Sequence, residues 1–147
     1  MRRLPLIPLS VFALAMAFVE AACVVTLKQL YYPEGWKPPF HEIPVAGLRL
    51  EQWREFATLV MLGAVAWLPG VGGVRGFIGR GLWTFGIWDL GYYFFLRFLT
   101  AYPARLTDLD VVFLIPVPWV LPVWVPVAAS TACLLAGLLL TGRRHRR

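Results

Sequence analysis

The sequence predicts an all-α polytopic membrane protein, a four-transmembrane-helix bundle with a Pro-rich outer capping or re-entrant segment. Three observations predict this fold class. The chain is 59% hydrophobic with a mean hydropathy of +0.68, which is more apolar surface than a soluble core of this size could bury. Its apolar residues form runs about as long as a bilayer crossing. Arginines lie just outside those runs, as they do in membrane proteins with basic loops on one side.

The first transmembrane helix is predicted over about residues 6–30. Ala13, Ala17 and Ala21 recur at every fourth position beside Glu20, and such a stripe of small residues is typical of a closely packed helix interface. The N-terminal run resembles a signal peptide, but its apolar character continues well past the expected cleavage region. We therefore expect this segment to be retained as a membrane helix.

The second transmembrane helix is predicted over about residues 51–69, after an outer loop of residues 31–50. Prolines and glycines in that loop disfavour regular structure. One face of this helix is expected to carry Glu51, Glu55, Thr58 and Leu62, with Arg54 beside them. Helical spacing thus gathers several polar groups on one side of an otherwise apolar segment.

A glycine-rich inner turn is predicted over residues 70–80. Its Arg75 and Arg80 are expected to contact anionic lipid headgroups. The third transmembrane helix follows over about residues 81–100 and carries Asp89 near its middle. A charged aspartate at the centre of a membrane helix costs roughly 2.5–3.5 kcal/mol, so Asp89 is not expected to face lipid.

The polar residues of the third helix share one side. Asp89, Tyr93 and Arg97 follow each other at intervals of four, with Tyr92 adjacent, so all four should face protein. Because Asp89 and Arg97 are about 12 Å apart along the helix, each needs a partner from another helix. Arg97 is expected to pair with Glu55 or Glu20.

The last apolar run is too long for a single crossing and is interrupted by prolines. An outer loop and Pro-rich segment is predicted over residues 101–121, with a short helix that starts at Thr107 and ends near Leu114. The fourth transmembrane helix is predicted over about 122–141, followed by a basic tail, residues 142–147. The Pro-rich passage should cap the outer side of the bundle or re-enter it.

The arginines predict the orientation. Eight of them lie on the side of the two termini and the inner turn, and no acidic residue lies there. The positive-inside rule then predicts a bacterial inner-membrane protein with both termini in the cytoplasm. Its expected partners are the lipid bilayer, anionic headgroups on the cytoplasmic side, and a membrane-protein partner or second copy. Nucleic acid is excluded, because no basic stripe is interleaved with polar or aromatic readers.

Two short motifs suggest a resemblance. Trp88-Asp89-x-x-Tyr92-Tyr93 and the later Phe113-Leu114-Ile115-Pro116-x-Pro118-Trp119 resemble segments of small four-helix bacterial membrane proteins with no assigned role. The resemblance covers about the C-terminal half of the chain. The resemblance implies a protein of four helices, and it implies no particular activity.

The charged and polar groups inside the crossings predict a polar site that opens outward and binds or passes a small cation, proton or polar solute. Its candidate residues are Glu20, Arg54, Glu55, Thr58, Asp89, Tyr92, Tyr93 and Arg97. Two other interpretations stay open. The buried acids could serve only to fix helix register, or the protein could be an accessory subunit or assembly factor of a larger membrane complex.

No enzyme is predicted, because no nucleophile lies near a base in the pattern. No metal and no cofactor are predicted either. His41 with its neighbouring acids is too sparse a set for a metal site, and the two histidines, His41 and His145, fall outside the crossings.

Overall fold

The computed structural model describes residues 6–36 and 43–142. Within these ranges the elements are α1 (Leu6–Tyr31), α2 (Val45–Trp67), α3 (Gly73–Thr100), β1 (Leu109–Phe113), β2 (Trp119–Pro122) and α4 (Trp124–Gly142). The helical fold class is confirmed with its four helices, of which α1 and α4 are long and apolar enough to cross a membrane. His41, His145 and the predicted arginines near both termini lie outside the described residues.

Helix α3 is the centre of the fold and packs against the other three helices. Its contact with α1 uses the predicted alanine stripe, because Ala13, Ala17 and Ala21 are all fully buried. At Gly91 of α3, a side-chain carbon would lie 2.9 Å from the Cβ of Ala17. The small residues therefore let the two helices approach closely, as the sequence predicts.

Helix α3 begins at Gly73, so most of the predicted inner turn of residues 70–80 is helical. Of the glycines that suggested a loop, Gly72 and Gly73 have positive φ at the start of the helix, and Gly79 makes room for α4. A side-chain carbon at Gly79 would lie 2.9 Å from Thr141 Cγ2, and one at Gly137 would lie 2.7 Å from the backbone nitrogen of Trp83. Close packing between α3 and α4 thus offsets the low helix propensity of glycine.

Helix α2 has the predicted polar face on its buried side. Its buried residues are Glu51, Glu55, Thr58, Leu62 and Ala66. The helix begins at Val45 instead of residue 51, inside the predicted outer loop. Pro44, with φ of −50° and ψ of 138°, is the residue before the first turn, and no proline follows it until Pro69, so nothing prevents helix from Val45 onward.

The Pro-rich segment is a β-hairpin, and the short helix predicted from Thr107 to Leu114 is wrong. Strands β1 and β2 pair antiparallel, with Asp110 opposite Leu121 and Val111 opposite Val120. The β-branched residues of β1 favour strand over helix. Within the stretch that suggested a helix start, Asp108 instead accepts hydrogen bonds from the backbone N–H groups of Ala104 and Arg105.

The hairpin lies over the end of the bundle where α1 ends and α2 begins. Lys28 of α1 and Gln52 and Glu55 of α2 all contact it. It therefore covers the polar face of α2 with paired strands, where the sequence predicted an irregular Pro-rich passage.

Candidate binding site

Arg54 is the centre of a charged cluster between α1 and α2. Its Nη1 donates to Glu20 Oε2 at 2.7 Å, and its Nε donates to Glu51 Oε2 at 2.7 Å. Thr58 Oγ1 makes a longer contact of 3.4 Å to the same Glu20 oxygen. One guanidinium thus serves two carboxylates, so the cluster has one more negative than positive charge.

Arg97 does not join this cluster. Its Nη1 donates to the carbonyl oxygen of Pro103 in the loop after α3, so the predicted pairing of Arg97 with Glu55 or Glu20 is wrong. The reason is local, because a long side chain in the last turn of a helix reaches the carbonyls of the chain leaving it. Of the eight predicted site residues, Arg97 is the one placed away from the polar interior.

Glu55 binds the hairpin. Its Oε2 accepts a hydrogen bond from the backbone N–H of Leu114 at 2.8 Å. One turn away, Gln52 Nε2 donates to the carbonyl oxygens of Leu114 at 2.9 Å and Pro116 at 3.1 Å. Two side chains of α2 therefore provide hydrogen bonds to backbone groups of Leu114 and Pro116, which lie just after β1 and outside the strand pairing.

Asp89 finds its partner on α4. Ser130 Oγ donates to Asp89 Oδ2 at 2.6 Å, and both residues are buried, with 0% and 6% of their surfaces exposed. Sequence reasoning missed Ser130. The signal available was a small hydroxyl residue within a helix that is otherwise almost wholly apolar. Such residues commonly bind polar groups across a helix interface.

A small cavity joins these groups beneath the hairpin. It has a volume of about 60 Å³ and is bounded by side chains of α1, α2 and α3 and by the residues 111–114 of β1 and its end. The charged residues that line it are Glu20, Arg54, Glu55 and Asp89. The cavity is large enough for a few water molecules, and its charged side chains offer them hydrogen-bond partners.

Trp88 places a buried polar group beside this cavity. The residue is 5% exposed and lines the cavity. Its indole Nε1 is buried and has no hydrogen-bond partner among the described residues. A buried N–H without a partner is costly, and a water molecule in the adjacent polar space would satisfy it.

The two predicted tyrosines lie on the same side of α3, and both are buried. Tyr92 lines the cavity beside Asp89. Its ring meets that of Tyr93 edge to face at a centroid distance of 4.9 Å. Together they continue the buried surface of α3 from Asp89 toward the hairpin end.

A second ion pair fixes the hairpin to α1. Lys28 Nζ lies 3.5 Å from Asp110 Oδ1, and Lys28 also lies over the rings of Trp36 and Tyr102 at 4.3 and 4.9 Å. Asp110 is 1% exposed, so burial raises the pKa of this carboxyl above its usual range, while the Lys28 ammonium opposes that shift. Sequence reasoning did not pair these two residues, because it placed Asp110 in a helix.

The two arginines of the predicted inner turn differ. Arg75 is exposed, as headgroup contact requires. Arg80 is 1% exposed and donates from Nε to Ala66 O at 2.7 Å and from Nη1 to Val71 O at 2.6 Å. The expectation of headgroup contact is therefore corrected for Arg80, which instead satisfies carbonyls at the end of α2 and in the following turn.

Among residues 6–36 and 43–142, no group of three or more His, Cys, Asp or Glu side chains is placed to hold a metal ion. The geometry assembles a small cavity that is lined by three carboxylates and covered on one side by the hairpin. The chain gave no match when it was compared with protein-family models, with curated proteins and with solved structures.

Proposed function

We propose that the protein is an integral membrane protein whose cavity beneath the hairpin binds or passes a small cation, with the proton as the best fit. The observation that supports this most is the gathering of Glu20, Glu55 and Asp89 around about 60 Å³ of space, with Arg54 as the one cation among the described residues that line it. The volume suits water molecules and small ions.

Exposed apolar side chains support a membrane location for all four helices. On α1 and α4, Ile7 and Leu135 are 79% and 60% exposed. The less hydropathic helices have similar residues on their outer faces, since Val60 of α2 is 53% and Phe98 of α3 is 77% exposed. In the middle of α2 and α3 the polar residues Glu55, Thr58 and Asp89 are buried, whereas the exposed arginines lie in the first or last turns of these helices, which is the arrangement expected of a helix bundle in lipid.

The arginine pattern supports the orientation. With the termini and the exposed Arg75 in the cytoplasm of a bacterial cell, the hairpin and the cavity lie toward the outer face of the inner membrane. A proton would then enter beside Glu55, under the hairpin, and reach Asp89 through water. Carboxylates joined by ordered water are the usual elements of a proton relay.

A flux measurement tests the proposal. We expect vesicles that contain the full chain and a trapped pH-sensitive dye to take up protons when a potassium diffusion potential, negative inside, is applied. Asp89→Asn should reduce the protein-dependent rate about tenfold or more, because the amide cannot take up a proton yet can still accept the hydrogen bond from Ser130.

The matched control is Glu34→Gln. It removes one carboxylate from an exposed position in the turn after α1, and we expect it to leave the proton flux unchanged. Equal flux through wild type and Asp89→Asn would refute a role for Asp89 in proton passage. A loss of folded protein in Asp89→Asn alone would favour the interpretation in which Asp89 only fixes helix register.

The hairpin supports a second candidate function, that of an accessory subunit or assembly factor. Val117, Trp119 and Val120 are 61%, 50% and 44% exposed, and an apolar patch of this kind can dock a partner. In that case Asp89→Asn should have little effect, and co-purification of a membrane partner should depend on Trp119.

A further inference from the structure

Ser130 uses its hydroxyl differently from the other serine and threonine residues in the described helices. All the others donate to the backbone carbonyl four residues earlier in their own helix, as Thr131 does to the oxygen of Val127 at 2.8 Å. This internal bond is the common arrangement for a hydroxyl inside a helix. Ser130 instead donates across the interface to Asp89 Oδ2 at 2.6 Å. The single proton of its hydroxyl is thus committed to Asp89.

A glycine of α3 brings α4 close enough for this hydrogen bond. Gly86 lies three positions before Asp89, and a side-chain carbon there would lie 2.8 Å from the backbone oxygen of Ser130 and 2.7 Å from Leu134 Cγ. Because Gly86 has no side chain, the two helices can touch at this point. The hydrogen bond is therefore made inside a closely packed interface, where water does not compete with it.

The small cavity lies on another side of Asp89. The described residues that line it belong to α1, α2, α3 and the hairpin, and Asp89 is among them, whereas none of them belongs to α4. Within residues 6–36 and 43–142, no hydrogen bond reaches the second oxygen of Asp89, Oδ1. One carboxylate oxygen is therefore fixed from the side of α4, and the other is left for the cavity.

Ser130 is the one described residue that donates a hydrogen bond to Asp89. Arg54, the cation of the cavity, donates to Glu20 and Glu51 instead. The other titratable groups around Asp89 come from every element packed there and are Glu20, Glu55, Tyr92, Tyr93, Asp110 and Cys133. The orientation of the Asp89 carboxyl group thus depends on Ser130.

We propose that Ser130 is a positioning residue that decides which oxygen of Asp89 takes up a proton. Its O–H group keeps Oδ2 as an acceptor, so a proton delivered by water in the small cavity binds to Oδ1, and Oδ2 becomes the carbonyl oxygen of the acid. When the proton returns to water, the same hydrogen bond stabilises the carboxylate. This inference rests on the proposed function and adds the residue that orients its central carboxyl group.

The C=O stretching band of protonated Asp89, recorded by infrared spectroscopy in bilayers, tests this assignment. Each protein is compared with its own Asp89→Asn variant, so that the band belongs to Asp89. A hydrogen bond to a carbonyl oxygen lowers its stretching frequency, so we expect the band to move to higher wavenumber in Ser130→Ala. It should lie between these two positions in Ser130→Cys, because a thiol is a weak donor. If the proton were on Oδ2 instead, the band would not move.

Proton flux into vesicles gives a second readout. In Ser130→Ala the ionised carboxyl group lacks its donor, so we expect the protein-dependent flux to be about tenfold slower. The matched control is Thr131→Ala, which removes an exposed hydroxyl from the next position of the same helix. It should leave both the flux and the band of Asp89 unchanged.

The two readouts separate this inference from the proposed function. A band at the wild-type position in Ser130→Ala, in a protein that passes protons, would overturn the role of Ser130 and leave the proposed function standing. If Ser130→Ala did not fold, an unshifted band in Ser130→Cys would overturn it equally. A wild-type protein that passes no protons would refute the proposed function and, with it, this inference.

Discussion

Replacement of Arg54 by methionine is expected to lower the free energy of unfolding by about 3 kcal/mol. Methionine keeps much of the side-chain volume but leaves Glu20 and Glu51 without the guanidinium that both bind at 2.7 Å. Their side chains are 12% and 9% exposed, so water cannot fully replace that partner. Unfolding in mixed micelles, followed by circular dichroism as the denaturing detergent fraction rises, measures the change.

Arg49→Met is the matched control for this prediction. Arg49 precedes Arg54 on the same helix but is exposed, so its replacement should change stability by less than about 0.5 kcal/mol. The double variant Arg54→Met with Glu20→Gln should recover part of the lost unfolding free energy. In that variant only Glu51 is a carboxylate without its guanidinium partner, because the amide at position 20 is neutral. Equal stability of Arg54→Met and Arg49→Met would show that the cluster contributes nothing to the fold.

Replacement of Arg80 by methionine is expected to lower the free energy of unfolding by about 3 kcal/mol. Its guanidinium donates to two carbonyl oxygens, of Ala66 and of Val71, and only 1% of the residue is exposed. Without these bonds the end of α2 and the turn to α3 have buried carbonyls with no charged donor. Arg80→Lys should restore little, because a single ammonium cannot reproduce the two directions of the guanidinium fork.

The neighbouring Arg75 provides the comparison for Arg80. It lies five residues before Arg80 on α3, has the same charge and is exposed. Arg75→Met should therefore leave the unfolding transition unchanged while it weakens binding to vesicles that contain anionic lipid. If Arg80→Met were as stable as Arg75→Met in the same mixed micelles, a stabilising role for the hydrogen bonds from Arg80 to the carbonyls of Ala66 and Val71 would be refuted.

The sequence predicts the parts of this fold that depend on helical periodicity. The alanine stripe of α1 and the face of α2 that includes Glu55 and Thr58 both follow from spacings of three and four residues, and burial confirms both. The start of α3 at Gly73 does not follow from local propensity. Glycine favours a loop in isolation, and it is the suitable residue farther along the helix, at Gly79, because α4 packs closely there.

Sequence reasoning fails to predict which groups pair with the buried polar residues. Asp89 is recognised as unusual from its place in an apolar run, but its partner Ser130 lies 41 positions away on a helix whose rotation the pattern does not fix. The same holds for Lys28 and Asp110, which meet only because the Pro-rich segment forms strands. Local patterns show which groups must be satisfied, and tertiary packing decides which groups satisfy them.

The most direct test of the proposed cation site is an infrared difference spectrum of the protein in bilayers, recorded as the external pH is stepped. A carboxyl group that exchanges protons with water gives a C=O stretching band that changes with pH and shifts in deuterated water. We predict such a band that is absent from Asp89→Asn and present in Glu34→Gln. A band of Asp89 that responds neither to pH nor to deuterium, or a spectrum that Asp89→Asn leaves unaltered, would contradict the site.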